Sequence, residues 1–166
     1  IPWPARAERF ALLADTLQLA HHMWADDRSP YAGRTIHAAE PISSPPPIRR
    51  PHPPIMVGGG GERTTLRLVA RYADACNILV PDPGESRAKL EVLRRHCDEL
   101  GRDYEAIEKT ALIECDPRPG RQSAAEIVAA IRKQRDEGIE QVIVNLPDVY
   151  DPRRLEVMAR EVIPAV

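Results

Sequence analysis

No apolar run approaches the roughly 20 residues that a membrane-spanning helix needs, and no charged-then-apolar segment opens the chain. Neither a membrane partner nor a secretory signal is therefore expected. Excess charge of one sign is also missing, with 23 Lys and Arg against 25 Asp and Glu and a formal net charge of −2. That balance leaves no basic stripe for a phosphate backbone, so no nucleic-acid partner is expected. Cysteine is scarce: Cys76, Cys97 and Cys115 make an odd number with no CxxC spacing. This speaks against a disulfide framework and for reduced thiols in a cytoplasm. Phenylalanine occurs once, against 17 prolines. The first residue is Ile1 rather than methionine, and a processed, trimmed or partial chain is the expectation.

What is present is enough for a core. The 166 residues are 43% hydrophobic, and a domain of this size buries roughly 68–70% of its unfolded surface. After a rigid Ile-Pro-Trp-Pro lead, Phe10, Leu13, Leu17, Ala20 and Trp24 share one helical stripe, which predicts a helix over 5–24. Asp26, Asp27, Ser29, Pro30 and Gly33 stop it. Seven prolines between 41 and 54 exclude a helix or a central strand there. An extended surface run is expected, with an interdomain linker as the alternative.

From residue 55 the pattern alternates. Ile55–Val57, Ala75–Val80, Thr110–Glu114 and Gln141–Leu146 read as buried strands. Helical stripes lie between them, at Leu66/Val69/Ala70/Ala73 and at Leu90/Leu93/Cys97/Leu100. Pro81-Asp82-Pro83-Gly84 closes the second strand, and Gly101 fits a helix C-terminus. Ser123 and Glu126 form a capping box for a helix to about 137, and a last helix is expected over 153–162. Strands that alternate with helices imply a parallel sheet. Four such units are too few for a (β/α)₈ barrel of about 250 residues. They suit a small open sheet or half of such a barrel.

The most informative stretch carries Gly58, Gly59, Gly60 and Gly61 from a strand into a helix that begins near Thr64. Glycines remove the Cβ atoms that hold a ligand off the backbone, and free N–H groups at a helix start favour a phosphate. Arg63 can add a charge-assisted contact, and Thr64 or Thr65 a hydroxyl. A Walker loop is excluded because Glu62-Arg63-Thr64 stands where Gly-Lys-Ser/Thr is required. The dinucleotide fingerprint fails because position 63 is arginine. A tight turn with no ligand is the competing reading, though four glycines exceed what a turn requires.

Other chemistry is thin. His21 and His22 are adjacent on a helix and point about 100° apart, so they cannot share a metal; they read as surface histidines without partners. His37, His52 and His96 have no metal-ligand spacing, and no metal site is expected. Asp74 reads as a structural carboxylate, and Arg71, Arg94 and Arg95 as solvated helix faces. No catalytic residue can be nominated.

Four segments taken together resemble the second half of the luciferase-like monooxygenase family, in particular its branch dependent on the deazaflavin coenzyme F420. They are Glu8-Arg9-Phe10 through His22-Met23-Trp24; Ser29-Pro30-Tyr31-Ala32-Gly33 with Ala39-Glu40-Pro41; Pro53 through Leu66 continuing over Ala70–Asn77; and Gly101-Arg102-Asp103. The resemblance implies a (β/α)₈ TIM-barrel fold, of which these four strands are the fifth to eighth, with residues 25–54 as an insertion. It implies a cofactor, F420 or alternatively FMN, at the C-terminal strand ends. There Gly58, Gly59, Gly60, Gly61, Arg63 and Thr64 would meet its phosphate or phosphate-like tail. The implied activity is hydride transfer or oxygen activation on a small-molecule substrate, with the ring-facing residues largely in the first half of the barrel. The chain alone is then expected to be inactive and to self-associate through open strand edges. A non-catalytic phosphate- or cofactor-binding α/β module is the alternative.

Overall fold

The computed structural model describes residues 3–79 and 84–166. The Ile1-Pro2 lead and the 80–83 part of the predicted strand end and turn lie outside the described residues. The chain divides into two compact units, Ile1–Ile55 and Met56–Val166.

In the first unit, helix α1 spans Arg6–Trp24, followed by a two-stranded antiparallel hairpin of β1 (Tyr31–Ala32) and β2 (His37–Ala38). The hairpin was not predicted. Its anchor is Asp15, a buried carboxylate on α1 that accepts hydrogen bonds from the Thr35 hydroxyl (2.7 Å), the Ile36 N–H (3.0 Å) and the Thr35 N–H. These bonds hold the Asp15 pKa down to about 2. Gly33 is required beside it, because a Cβ there would lie 2.6 Å from the carboxylate carbon. Of the predicted α1 stripe only Leu17 is fully buried; Phe10, Leu13, Ala20 and Trp24 are half-buried. As expected, residues 41–54 contain neither helix nor strand.

The second unit is an α/β layer. Strand β3 (Met56–Gly58) leads to α2 (Thr65–Tyr72), β4 (Ala75–Leu79), α3 (Glu85–Leu100), β5 (Glu108–Glu114), α4 (Ala124–Asp136), β6 (Gln141–Asn145) and α5 (Pro152–Val157). The last helix continues through a π-helical turn at Met158–Val162. All four strands are parallel, in the order β3-β4-β5-β6. Sequential order without a reversal is barrel winding; a doubly wound sheet reverses at a switch point.

The pleat sorts the strand residues onto two faces. Val57, Cys76, Ile78, Ala111 and Ile113 are buried. Ile113 and Cys115 pack with Ile127 and Val128 of α4 and with Met158 and Val162. The opposite face carries Met56, Asn77, Leu79, Thr110, Leu112 and Ile143 in register. Met56 and Leu79 are 49% and 54% exposed, as the inner face of an unclosed barrel would be. Glycine or proline marks several boundaries, and side-chain caps mark others. Gly101 adopts φ 64° and ends α3, Asp151 caps α5 ahead of Pro152, and the Ser123–Glu126 capping box forms as expected. Strand β5 starts two residues earlier than predicted because Glu108 N–H finds the Asp74 carbonyl (2.9 Å) and Lys109 is neutralised by carboxylates.

Candidate functional site at the C-terminal strand ends

Gly58 closes β3, and residues 59–64 run from the C-terminal end of that strand to the start of α2. The glycines differ in what the chain itself asks of them. Gly59 has φ +118°, and its N–H donates to the Asn77 carbonyl at 2.8 Å, tying the loop to β4. A Cβ at Gly61 would sit 2.9 Å from the Thr65 hydroxyl. Both therefore need glycine for internal reasons. Gly58 and Gly60 do not: an added Cβ would be 3.9 Å from the Asn77 carbonyl and 3.5 Å from the Lys89 side chain, ordinary contact distances.

The rest of the loop is open. Among the described residues, the backbone N–H groups of Gly60, Gly61, Glu62, Arg63 and Thr64 make no hydrogen bond within the chain. Arg63 and Thr64 are exposed. Thr64 is the N-cap of α2, and its hydroxyl does not fold back on the helix. Of the six sequence-predicted residues, Gly58 ends β3 and the other five lie on the loop that follows it, where the backbone N–H groups of Gly60, Gly61, Arg63 and Thr64 are unpaired.

Two side chains from α3 brace this loop, and sequence reasoning missed both. Lys89 Nζ contacts the Glu62 carboxylate at 3.0 Å and Glu85 at 3.5 Å. The hydrogen bond from Lys89 holds the Glu62 carboxyl below its ordinary value, and Lys89 is raised in return. His96 Nε2 lies 2.8 Å from the Glu62 carbonyl. Nothing in a one-dimensional pattern connects residue 62 with a helix about 30 positions later.

A second feature lies at the same end of the sheet, beyond β5 and β6. A cavity of about 250 Å³ is lined by Glu114, Asp116, Arg118, Gln122 and Asn145, with Cys115 and Pro147. The Arg118 guanidinium grips Asp116 through Nε (2.8 Å) and Nη2 (2.7 Å) and reaches Asp148 through Nη1 (3.4 Å). It bridges the β5–α4 and β6–α5 loops and pulls the Asp116 carboxyl down to about 2. The only advance signal was a cluster of charged residues after a predicted strand.

The remaining sequence candidates take other places. His21 and His22 are not partner-free: His22 contacts the Ser29 carbonyl (3.0 Å) and Asp27 (3.4 Å), and the His21 ring meets the His52 ring at 4.5 Å. Arg94 is more than a solvated face, since it stacks 3.9 Å above the Tyr104 ring and pairs with Glu105. Arg71 and Arg95 are exposed, as expected. Among the described residues, no group of three or more His, Cys, Asp or Glu could hold a metal, and no helix is long and apolar enough to cross a membrane.

Comparison with known proteins places these features in a family context. A family model described as luciferase-like monooxygenase matches residues 5–165. The F420-dependent glucose-6-phosphate dehydrogenase of Segniliparus rotundus is 30% identical over 128 residues, covering 70% of this chain and 35% of that protein. Among solved structures, an F420-dependent secondary alcohol dehydrogenase in complex with an F420-acetone adduct superposes with a TM-score of 0.82 at 16% identity. That match covers 99% of this chain and 64% of the dehydrogenase. A riboflavin lyase with modified FMN and riboflavin gives 0.78 at 11% identity, over 99% of this chain and 58% of its own. The chain therefore spans about a third of the curated relative's length, and about three fifths of each of these barrels.

Proposed function

The chain belongs to the luciferase-like monooxygenase family, and from that premise we propose that it supplies the phosphate-binding part of a cofactor site in an F420- or FMN-dependent oxidoreductase. One observation carries the reading. The loop after β3 leaves the backbone N–H groups of Gly60 to Thr64 unpaired at the C-terminal end of a parallel sheet, and glycine at 58 and 60 answers no demand of the chain's own packing. Absence of Cβ atoms where none is internally required suits the close approach of a phosphate to backbone.

In this reading the amides of Gly60–Thr64 bind the tail of the cofactor, Arg63 adds a charged donor and Thr64 a hydroxyl. Lys89 and His96 fix the position of Glu62, so the loop is preorganised before the ligand arrives. The bound ring system would exchange a hydride with a small-molecule substrate or, when reduced, activate oxygen. F420 is the first candidate, since the 30%-identical relative is described as F420-dependent; FMN is the alternative. Residues 1–166 form part of one (β/α)₈ domain with a proline-rich insertion at about 25–54, in a cytoplasmic enzyme whose open edges favour self-association. The 166-residue chain by itself turns over no substrate.

Fluorescence titration with FMN and F420 tests the proposal. Saturable binding that weakens in Arg63→Ala and Gly60→Ala is expected. Folded variants with unchanged affinity would reduce the loop to a turn.

A further inference from the structure

We infer that the cavity between the ends of β5 and β6 receives the hydroxyl-bearing part of a small, uncharged substrate of the polyol class, with Arg118 as a positioning residue rather than an anion receptor. This rests on the reading of the C-terminal strand ends as the active end of an oxidoreductase.

Three observations carry it. Each nitrogen of the Arg118 guanidinium already meets a carboxylate, two on Asp116 and one on Asp148. Three of its five N–H donors are engaged, and the Nε–Nη2 edge, which would offer a phosphate a two-pronged grip, is taken by Asp116. The local charge is unfavourable to anions as well. Glu114, Asp116 and Asp148 outnumber Arg118 and Arg121, and Arg121 itself lies 3.8 Å from Asp116. What the lining still offers is mixed and neutral in its demands. Among the described residues, the Glu114 carboxylate, the Asn145 side chain and the Gln122 amide nitrogen make no hydrogen bond, while Gln122 Oε1 is fixed by the Asp116 N–H at 2.6 Å.

An acceptor, a donor and an amide capable of both are the complement of adjacent hydroxyl groups, each of which donates and accepts. At about 250 Å³ the space lies below the roughly 300 Å³ at which pockets begin to enclose drug-sized ligands. At about 30 Å³ per water-sized heavy atom it takes roughly eight heavy atoms, enough for several adjacent hydroxyl-bearing carbons of a polyol. Glu114 and Asn145 are register partners on β5 and β6, which holds their spacing rigid. Arg118, which lines the cavity, ties the two following loops together through Asp116 and Asp148, and Tyr150 OH donates to Asp148 at 3.0 Å.

The test is a titration of the ¹⁵N-labelled full chain with sorbitol and, separately, with inorganic phosphate, reading the side-chain amide signals of Gln122 and Asn145. Sorbitol should move both signals saturably, and phosphate should move neither. Asp116→Asn should release Arg118, so that phosphate now moves them and the sorbitol affinity falls by about tenfold, the value of one charge-assisted hydrogen bond. Should that variant not fold, Asp148→Asn takes away the guanidinium's other partner and serves in its place. Signals that ignore sorbitol, or that respond to phosphate in the wild type, would overturn the inference. The cofactor is absent from this titration, so the two readings separate. FMN or F420 binding with no sorbitol response refutes the cavity assignment alone, and a sorbitol response without cofactor binding refutes the cofactor loop alone.

Discussion

Lys109 sits inside β5 with only 3% of its side chain exposed, while its partners Glu140 and Glu105 are 50% and 66% exposed. The three groups are therefore not interchangeable in their effect on stability. Glu140 accepts from Lys109 Nζ at 2.8 Å and also from the Lys109 backbone N–H at 3.1 Å. Glu140→Ala would leave a buried ammonium with Glu105 at 3.2 Å and the Tyr104 ring at 4.7 Å as its remaining support. Removing one partner of a fully buried pair costs about 3–5 kcal/mol, and the surviving contacts should bring this to about 2–3 kcal/mol. Lys109→Met removes the buried charge, keeps the volume and lets Glu140 rehydrate, so it should cost less than about 1 kcal/mol. Burial works to lower the Lys109 pKa, but the two carboxylates outweigh it and hold the group above its usual value. The ion pair's contribution is then complete below the unfolded value of about 10.4 and fades as pH rises through the folded one. Urea unfolding at pH 7 and at pH values above 11 measures both effects. If Lys109→Met proves as costly as Glu140→Ala, or the Glu140→Ala deficit does not shrink at high pH, the argument from unequal burial is wrong.

Asp15 should behave in the opposite sense. Its pKa of about 2 lies below the usual 3.8, so its stabilisation is present above about pH 4 and is lost as pH falls toward 2. Thermal melts of wild type and Asp15→Asn should converge over that range. Arg102 donates to the Ala70 carbonyl (3.3 Å) and the Ala73 carbonyl (2.7 Å), closing the C-terminal end of α2 from a distant loop. Arg102→Ala should cost about 1.5–3 kcal/mol in urea, and Arg102→Lys should recover only part of it, because one ammonium cannot reproduce a two-pronged donor.

The course of the fold was legible because local signals agreed with one another. Ser123–Glu126, Gly101 and the alternation of apolar strands with helical stripes each rest on neighbours in sequence, and the parallel sheet followed. The glycine loop was legible for the same reason, although which of its glycines the chain itself needs depends on Asn77, Thr65 and Lys89 and required coordinates. What sequence reading missed is long-range and polar. The Asp15 carboxylate that organises the hairpin 20 residues later, the Lys89 and His96 braces on Glu62, and the Arg118 bridge between loops leave no periodic trace. Arg102 was noticed only as part of a motif, and its role on α2 emerged from the packing. The two histidines read as solitary found partners because the chain after α1 turns back toward that helix.

The most direct test of the cofactor-loop proposal compares FMN with riboflavin, which lacks the phosphate, by fluorescence titration of the wild-type chain and of Gly60→Ala. The added Cβ would meet the Lys89 side chain at 3.5 Å and Ile78 Cγ2 at 4.0 Å, both ordinary contact distances, so the variant should fold, as circular dichroism can verify. If the loop holds the phosphate, FMN should bind more tightly than riboflavin by about 1.5–3 kcal/mol, roughly ten- to a hundredfold, and Gly60→Ala should erase most of that gap. Equal affinity for FMN and riboflavin in the wild type, or a full gap in folded Gly60→Ala, would contradict it.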